Sequence, residues 1–550
     1  MNTKILVRTL RNKSAIGLRT IGLGAVMLGA TALSSPVWAQ TASANNAATI
    51  DALSSQLHSL QAQIDALRAQ EAQTQVQVKA QATMTTNAVP AAPATEVASN
   101  APASGGTAGM SKQLGGVKIT PGGFIEAAEI YRSRNEVTGI GSNFNTGIPL
   151  PNSTNYRTSE FRASGQQSRL SLLAQGQLDN GVKLAGYYET DFISAAPTAN
   201  SNESNSYNLR MRLANFTADL PEAGLHFAAG QTWSLATMTK TGLLTRSENP
   251  TQQIDAQYMV GYNWARQLTL RAVQDVTPWA QVGVSVEEPQ AVFTGGVPSG
   301  TVVNNAGTSQ LDPSATYSTD VAPDVIAKIA IDPGFGHYEA YGLARWFHDQ
   351  TGLTKGVTGN GDSNTVAAGG VGFGAIVPVI PKLIDFQVSG LIGHGIGRYG
   401  SAGLPDATVN IAGSPKPIKE DELLVGLVAH PTSTLDIYGY GGLEQEARTA
   451  GYGSTTSTSS GVTTTTYYGY GNPAINNSGC DAIGGSCGAQ TSSVRELTAG
   501  FWYTFYKGRF GKAEFGAQDA EFHRDTFAAV GGAPRTNMNV LMTSFRYYPF

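Results

Sequence analysis

The chain has 550 residues, only 14% of them charged, with 64 glycines, two cysteines and a formal net charge of −4, yet its mean hydropathy is only slightly negative. Neutral polar residues and glycine fill that gap, a mixture suited to strands with one apolar and one polar face joined by Gly/Ser/Asn loops, and unlike that of a multidomain soluble protein. The slight acidity excludes an electrostatic basis for nucleic-acid binding.

Residues 1–39 read as a secretory leader. Lys4, Arg8, Arg11, Lys13 and Arg19 form a basic start without acids, Ile21–Leu33 is a 13-residue apolar run, and Val37-Trp38-Ala39 fits a cleavage site before Gln40. Thirteen apolar residues are too few to span a bilayer. Removing those five basic residues takes the formal charge from −4 to −9. No later stretch approaches 18 apolar residues, so no transmembrane helix is expected in the mature chain.

Residues 40–80 carry Ile50, Leu53, Leu57, Leu60, Ile64 and Leu67, spaced 3-4-3-4-3. This is the a/d seam of a short coiled coil, flanked by Gln, Ser, Ala and Asp. Ile and Leu at a with Leu at d lean towards a dimer, but three heptads do not decide between two and three strands. Residues 81–112 are rich in Ala, Pro, Thr, Ser and Gly, nearly uncharged, and read as a linker.

From Val117 the hydrophobic period becomes two, and residues 113–550 read as one barrel. Leu170, Leu172, Ala174 and Leu178 share a face opposite Arg169, Ser171, Gln175 and Gln177; Val282, Val284 and Val286 oppose Gln281, Ser285 and Glu287. Strands with lipid on one side and water on the other need this alternation. Seven tight turns stand out: Asp179-Asn180-Gly181, Pro221 to Gly224, Thr277-Pro278, Asp332 to Gly336, Pro378 to Pro381, Pro431-Thr432-Ser433 and Lys507-Gly508. They define fourteen strands. One near Val117–Arg132 precedes them and one near Met538–Phe550 follows, making sixteen, with eight longer polar loops on the opposite side. The expected fold is therefore all-β, a 16-stranded antiparallel transmembrane barrel of the outer-membrane porin type, preceded by a coiled coil. Short turns and both barrel ends would face the periplasm of a Gram-negative bacterium. The terminal Tyr547-Tyr548-Pro549-Phe550 resembles an outer-membrane insertion signal, with the penultimate Pro as a departure.

Strand parity places Arg169, Arg210, Arg212, Arg271 and Arg345, with Glu189, Asp191 and Glu287, on lumen faces as candidate pore-lining and selectivity residues. In this reading Leu209, Met211 and Leu213 face lipid. Arginine and carboxylate on neighbouring strands would set a transverse field, or would simply pair as wall ion pairs. The third loop, roughly 234–264, is the candidate constriction, with Lys240, Arg246, Glu248 and Asp255. Cys480 and Cys487, in a Gly/Ser-rich segment of an exported chain, are expected to form a loop disulfide. The histidines (His58, His226, His337, His348, His394, His430 and His523) show no ligand spacing. There is no G-x-S-x-G, H-E-x-x-H or P-loop, so neither an enzyme nor a cofactor or metal is expected.

Gln167-Ser168-Arg169-Leu170, Glu189-Thr190-Asp191-Phe192, Leu209-Arg210-Met211-Arg212-Leu213-Ala214, Gly230-Gln231-Thr232-Trp233-Ser234, Arg266-Gln267 with Arg271, and Val286-Glu287-Glu288-Pro289 together resemble the DcaP-like outer-membrane porins. The likeness runs from about residue 115 to 290. It implies a homotrimer with an N-terminal coiled coil, set in outer-membrane lipid, passing small anionic organic solutes such as dicarboxylates. The remaining alternatives are an envelope tether, through coiled coil and linker to peptidoglycan, and a barrel hydrolase.

Overall fold

A computed structural model describes residues 111–550 apart from 194–196, 199, 309–314, 355, 359–360 and 460–461. The leader, the Ile50–Leu67 seam and the linker as far as residue 110 lie outside the described residues.

The barrel strands are β1 (Val117–Arg132), β2 (Glu160–Ser164 and Arg169–Gln177), β3 (Lys183–Asp191), β4 (Arg210–Leu220), β5 (Leu225–Trp233), β6 (Arg266–Thr277), β7 (Ala280–Glu287) and β8 (Asp324–Ile331). They continue with β9 (His337–Thr351), β10 (Asp362–Ile380), β11 (Ile384–His394), β12 (Lys419–Thr432), β13 (Leu435–Glu446), β14 (Thr491–Gly508), β15 (Gly511–Thr526) and β16 (Arg535–Tyr548). The sheet has eighteen ladder segments. Two of them make up β2, and Lys112–Leu114 only folds back on β1, which leaves sixteen staves. Each pairs antiparallel with the next, and β1 pairs with β16 from Ile125↔Tyr547 to Arg132↔Val540, so the sheet closes without an edge.

Six of the seven connections contain Gly, Pro, Asn, Asp, Ser or Thr, and the seventh is Arg509-Phe510 between Gly508 and Gly511, but several strands run further than the turn residues suggest. The β10–β11 connection is 381–383 rather than 378–381, and the β14–β15 connection is 509–510 rather than 507–508. The last strand starts at Arg535 and ends at Tyr548, before Pro549 and Phe550. The eight opposite connections are L1 (133–159), L2 (192–209), L3 (234–265), L4 (288–323), L5 (352–361), L6 (395–418), L7 (447–490) and L8 (527–534).

The outer wall is the expected apolar band: Leu170, Leu172, Val282, Val284, Val286, Val371, Phe373, Leu423 and Leu427 are all exposed. Two expectations about faces are corrected. Leu213 is buried, not lipid-facing, because the ladder slips between Glu189 and Thr190, where Glu189 pairs with Leu213 and Thr190 with Met211. That bulge turns the β4 parity after Arg212. The lumen is also not uniformly polar. Val494, Ala520, Phe522, Met538, Val540 and Met542 are buried in one core with Ile140, Phe144 and Ile148 of L1 and with Ile254, Met259 and Val260 of L3. Side chains on β14–β16 thus meet loops where water was expected, so apolar residues occur on both of their faces.

Candidate functional site

L3 leaves the outer end of β5 and folds into the barrel. Its route is marked by hydrogen bonds from its own backbone to inward-facing side chains. Leu235 N–H donates to Glu287 at 2.8 Å, Thr239 to Glu339 at 3.1 Å, Gly242 to Asp332 at 2.9 Å and Leu243 to Gln281 at 2.6 Å. The loop then crosses to the far wall. There Ile254 N–H donates to Gln518 at 2.6 Å, Val260 to Glu496 at 2.8 Å and Gly261 to Glu444 at 2.7 Å, while the Asn263 amide donates to Glu422. An irregular segment inside a barrel cannot pair its amides with a ladder, so the wall carboxylates and amides supply the acceptors. The approach is close enough that a Cβ on Gly442 of β13 would run into the Val260 carbonyl.

L1 and L6 close the frame. Ser142 of L1 donates its N–H and hydroxyl to Asp255 at 3.1 and 2.7 Å. Ala402 N–H of L6 reaches Glu444 at 3.0 Å, and Leu404, Ile396 and Tyr399 are fully buried.

The lumen charges divide into paired and unpaired sets. Arg212 Nε lies 2.6 Å from Glu189 and Nη1 2.7 Å from Asp191. Arg210 meets Asp191 at 2.8 Å, and Arg169 meets Glu189 at 3.7 Å. Arg345 joins Asp324 at 3.2 Å and Asp406 at 2.5 Å. Arg271 makes no ion pair among the described residues; it donates to the carbonyls of Trp233 at 2.6 Å and Leu243 at 3.3 Å and so braces L3. Glu287 has no ion pair with an arginine among the described residues but accepts from Leu235 N–H, Ser285 and Gln267.

In L3, Lys240 is exposed and Arg246 is half-buried, and neither has an ion pair among the described residues. The Arg246 guanidinium lies 5.8 Å from the Tyr187 ring centre. The protein packed around them strips water from both side chains, even from the solvent-accessible Lys240, and holds both groups below the ordinary value for a lysine or arginine. Burial likewise raises Glu248, with Arg271 opposing, and Asp255, with Arg132 opposing. Arg246 and Tyr258 sit at φ 71° and 72°, left-handed backbone that non-glycine residues seldom adopt.

Some residues of this region carry no signal in the sequence pattern. Tyr258 hydroxyl lies 3.3 Å from Arg212 Nη2, and its ring packs 5.9 Å from Trp233 and 5.1 Å from Trp264. Arg266 lies 5.2 and 5.1 Å from those two indoles, with Nε and Nη1 buried and without a hydrogen-bond partner among the described residues. The acidic anchors Glu339, Glu422, Glu444 and Glu496 were readable only as alternating polar positions; nothing local says what they hold. At the outer mouth Cys480 and Cys487 form a disulfide, and Gly484 and Gly485 of that ring bond to Asn152 of L1. No group of three His, Cys, Asp or Glu among the described residues is placed to hold a metal ion.

A closed sixteen-stranded barrel with an inward third loop has the architecture of an outer-membrane porin. The channel DcaP of Acinetobacter baumannii is similar in structure, with a TM-score of 0.54 at 18% identity, over 79% of this chain and 99% of that one. An anion-selective porin from Comamonas acidovorans (TM-score 0.42, 10% identity, 78% and 99% covered) and Salmonella typhi OmpF in complex with daunomycin (0.40, 11%, 80% and 100%) are more distant. No family model and no curated relative matches the sequence.

Proposed function

We propose that this protein is a passive, non-enzymatic outer-membrane diffusion channel for small polar solutes, with a preference for organic anions such as dicarboxylates, working as a homotrimer exported through its leader. The observation that carries the reading is an inward loop that narrows the lumen and presents Lys240 and Arg246 with no carboxylate within 4 Å among the described residues. Ion-paired arginines contribute little field at a distance, because each has a carboxylate within 4 Å. An unpaired cation about 6 Å from a passing carboxylate is worth roughly 0.7–3 kcal/mol at effective dielectrics of about 80 to 20, enough to bias permeation without trapping the solute. The similarity to a channel supports the same class.

Planar-bilayer recording tests it. The wild-type protein should conduct and show an anion-selective reversal potential in a KCl gradient, and Lys240→Ser with Arg246→Ser should move that potential towards cations. Absence of conductance, or selectivity untouched by the double substitution, overturns the reading.

A further inference from the structure

The tip of L3 reaches the rim formed by the short turns, and two histidines hold the groups on which it is seated. Gly242 N–H is accepted by Asp332 Oδ2 at 2.9 Å, and Asp332 Oδ1 lies 2.8 Å from His337 Nδ1. Leu243 N–H is accepted by Gln281 Oε1 at 2.6 Å; Gln281 Nε2 donates to Asp275 Oδ1 at 2.7 Å, and Asp275 Oδ2 lies 3.2 Å from His226 Nε2. The second nitrogen of each ring is also engaged. His226 Nδ1 is 2.9 Å from Asp219, and His337 Nε2 is 3.0 Å from Glu339 and 3.1 Å from the Thr239 hydroxyl. The other charged groups facing these clusters are Lys328, 2.8 Å from Glu339, and Arg246, which acts on Asp219 through space.

A neutral imidazole has one N–H. Carboxylates on both sides of a ring are both satisfied only by the imidazolium, which donates twice. Loss of that proton removes one hydrogen bond from each relay and leaves Asp219 with Asp275, and Asp332 with Glu339, less compensated. The tip has somewhere to go, because a solvent-open cavity of about 530 Å³ lies against Thr241, Gly242, Trp279, Gln281 and Asp332.

We infer that His226 and His337 are positioning residues of the pore: as imidazoliums they seat the L3 tip and so place Lys240 and Arg246, and anion preference falls as they deprotonate. This rests on Lys240 and Arg246 being the selectivity charges. Gly242 gives an independent handle. It sits at φ +53°, and a Cβ there would lie 2.5 Å from Gln281 Oε1, so alanine breaks the seat without touching a titratable group.

The test uses purified full-length protein in planar bilayers, with reversal potentials in KCl from about pH 5.5 to about pH 9, spanning histidine titration. The anion-to-cation permeability ratio of the wild type should fall at least about 2-fold across that range. His226→Gln with His337→Gln should be flat and low, and so should Gly242→Ala. Full wild-type pH dependence in the histidine double variant overturns the inference, as does unchanged selectivity in Gly242→Ala. Hydrogen exchange at the Gly242 and Leu243 amides separates this from failure of the selectivity reading. Protection lost with histidine deprotonation supports the seat even in a channel without ion preference; protection indifferent to both histidines overturns it.

Discussion

At the scale of single residues, the lumen arginines are not alike. Arg212 is buried between Glu189 and Asp191, so Arg212→Ala leaves two inward carboxylates short of a partner. It should cost roughly 3–5 kcal/mol, read as a lower thermal midpoint of the folded barrel, whereas Arg246→Ser should leave that midpoint within about 0.5 kcal/mol. Glu136 of L1 is pushed up to about 7, by burial first, against the opposing pull of Arg132 3.5 Å away. Its folded pKa lies above the unfolded value, so its contribution is present in full below about pH 4.5 and is lost as pH rises towards 7. The L1–L3 junction should therefore weaken across that window by at most about 3 kcal/mol. Glu136→Gln should flatten this dependence in melting curves recorded between those pH values. Parity alone places Arg169, Arg210 and Arg212 on the polar face of their strands, because alternation is local. Whether each was paired depended on neighbours on other strands.

At the scale of elements, the loops do more than connect strands. L1, L3 and L6 pack onto inner faces that carry Val494, Phe522, Val540 and Met542, which makes those strands apolar on both sides. The Cys480–Cys487 ring in L7 clasps L1 through Asn152. Substituting both cysteines by serine should leave the barrel folded and heat-modifiable but speed proteolytic nicking of residues 477–490 several-fold. Equal cleavage rates would show that the ring contributes nothing to loop order. The turns were legible in the sequence because Gly, Pro, Asn and Asp interrupt alternation. Strand ends were less so: Pro378 and Lys507 lie inside the last residues of their strands, at the rim formed by the short turns, where a missing or unused ladder bond costs little.

At the scale of the whole molecule, closure between β1 and β16 is reinforced by Glu126, which meets Arg546 at 2.9 Å. The proposed trimer should appear as a threefold mass in detergent, by light scattering or cross-linking. Removal of residues 40–112 separates the roles: persistence of the trimer assigns assembly to the barrel, and dissociation to the seam at Ile50–Leu67.

What the sequence by itself determined is the barrel: period-two alternation, seven breaks and eight long intervals are properties of neighbouring residues, and they suffice to count sixteen strands and to assign faces wherever no bulge or inward loop intervenes. Only the tertiary structure decided the pore. L3 could be singled out as an inward loop, but its path depends on acceptors such as Asp332, Glu444, Glu496 and Gln518, between 90 and 264 positions away along the chain. No local pattern encodes that pairing, and it sets which cations keep a free charge.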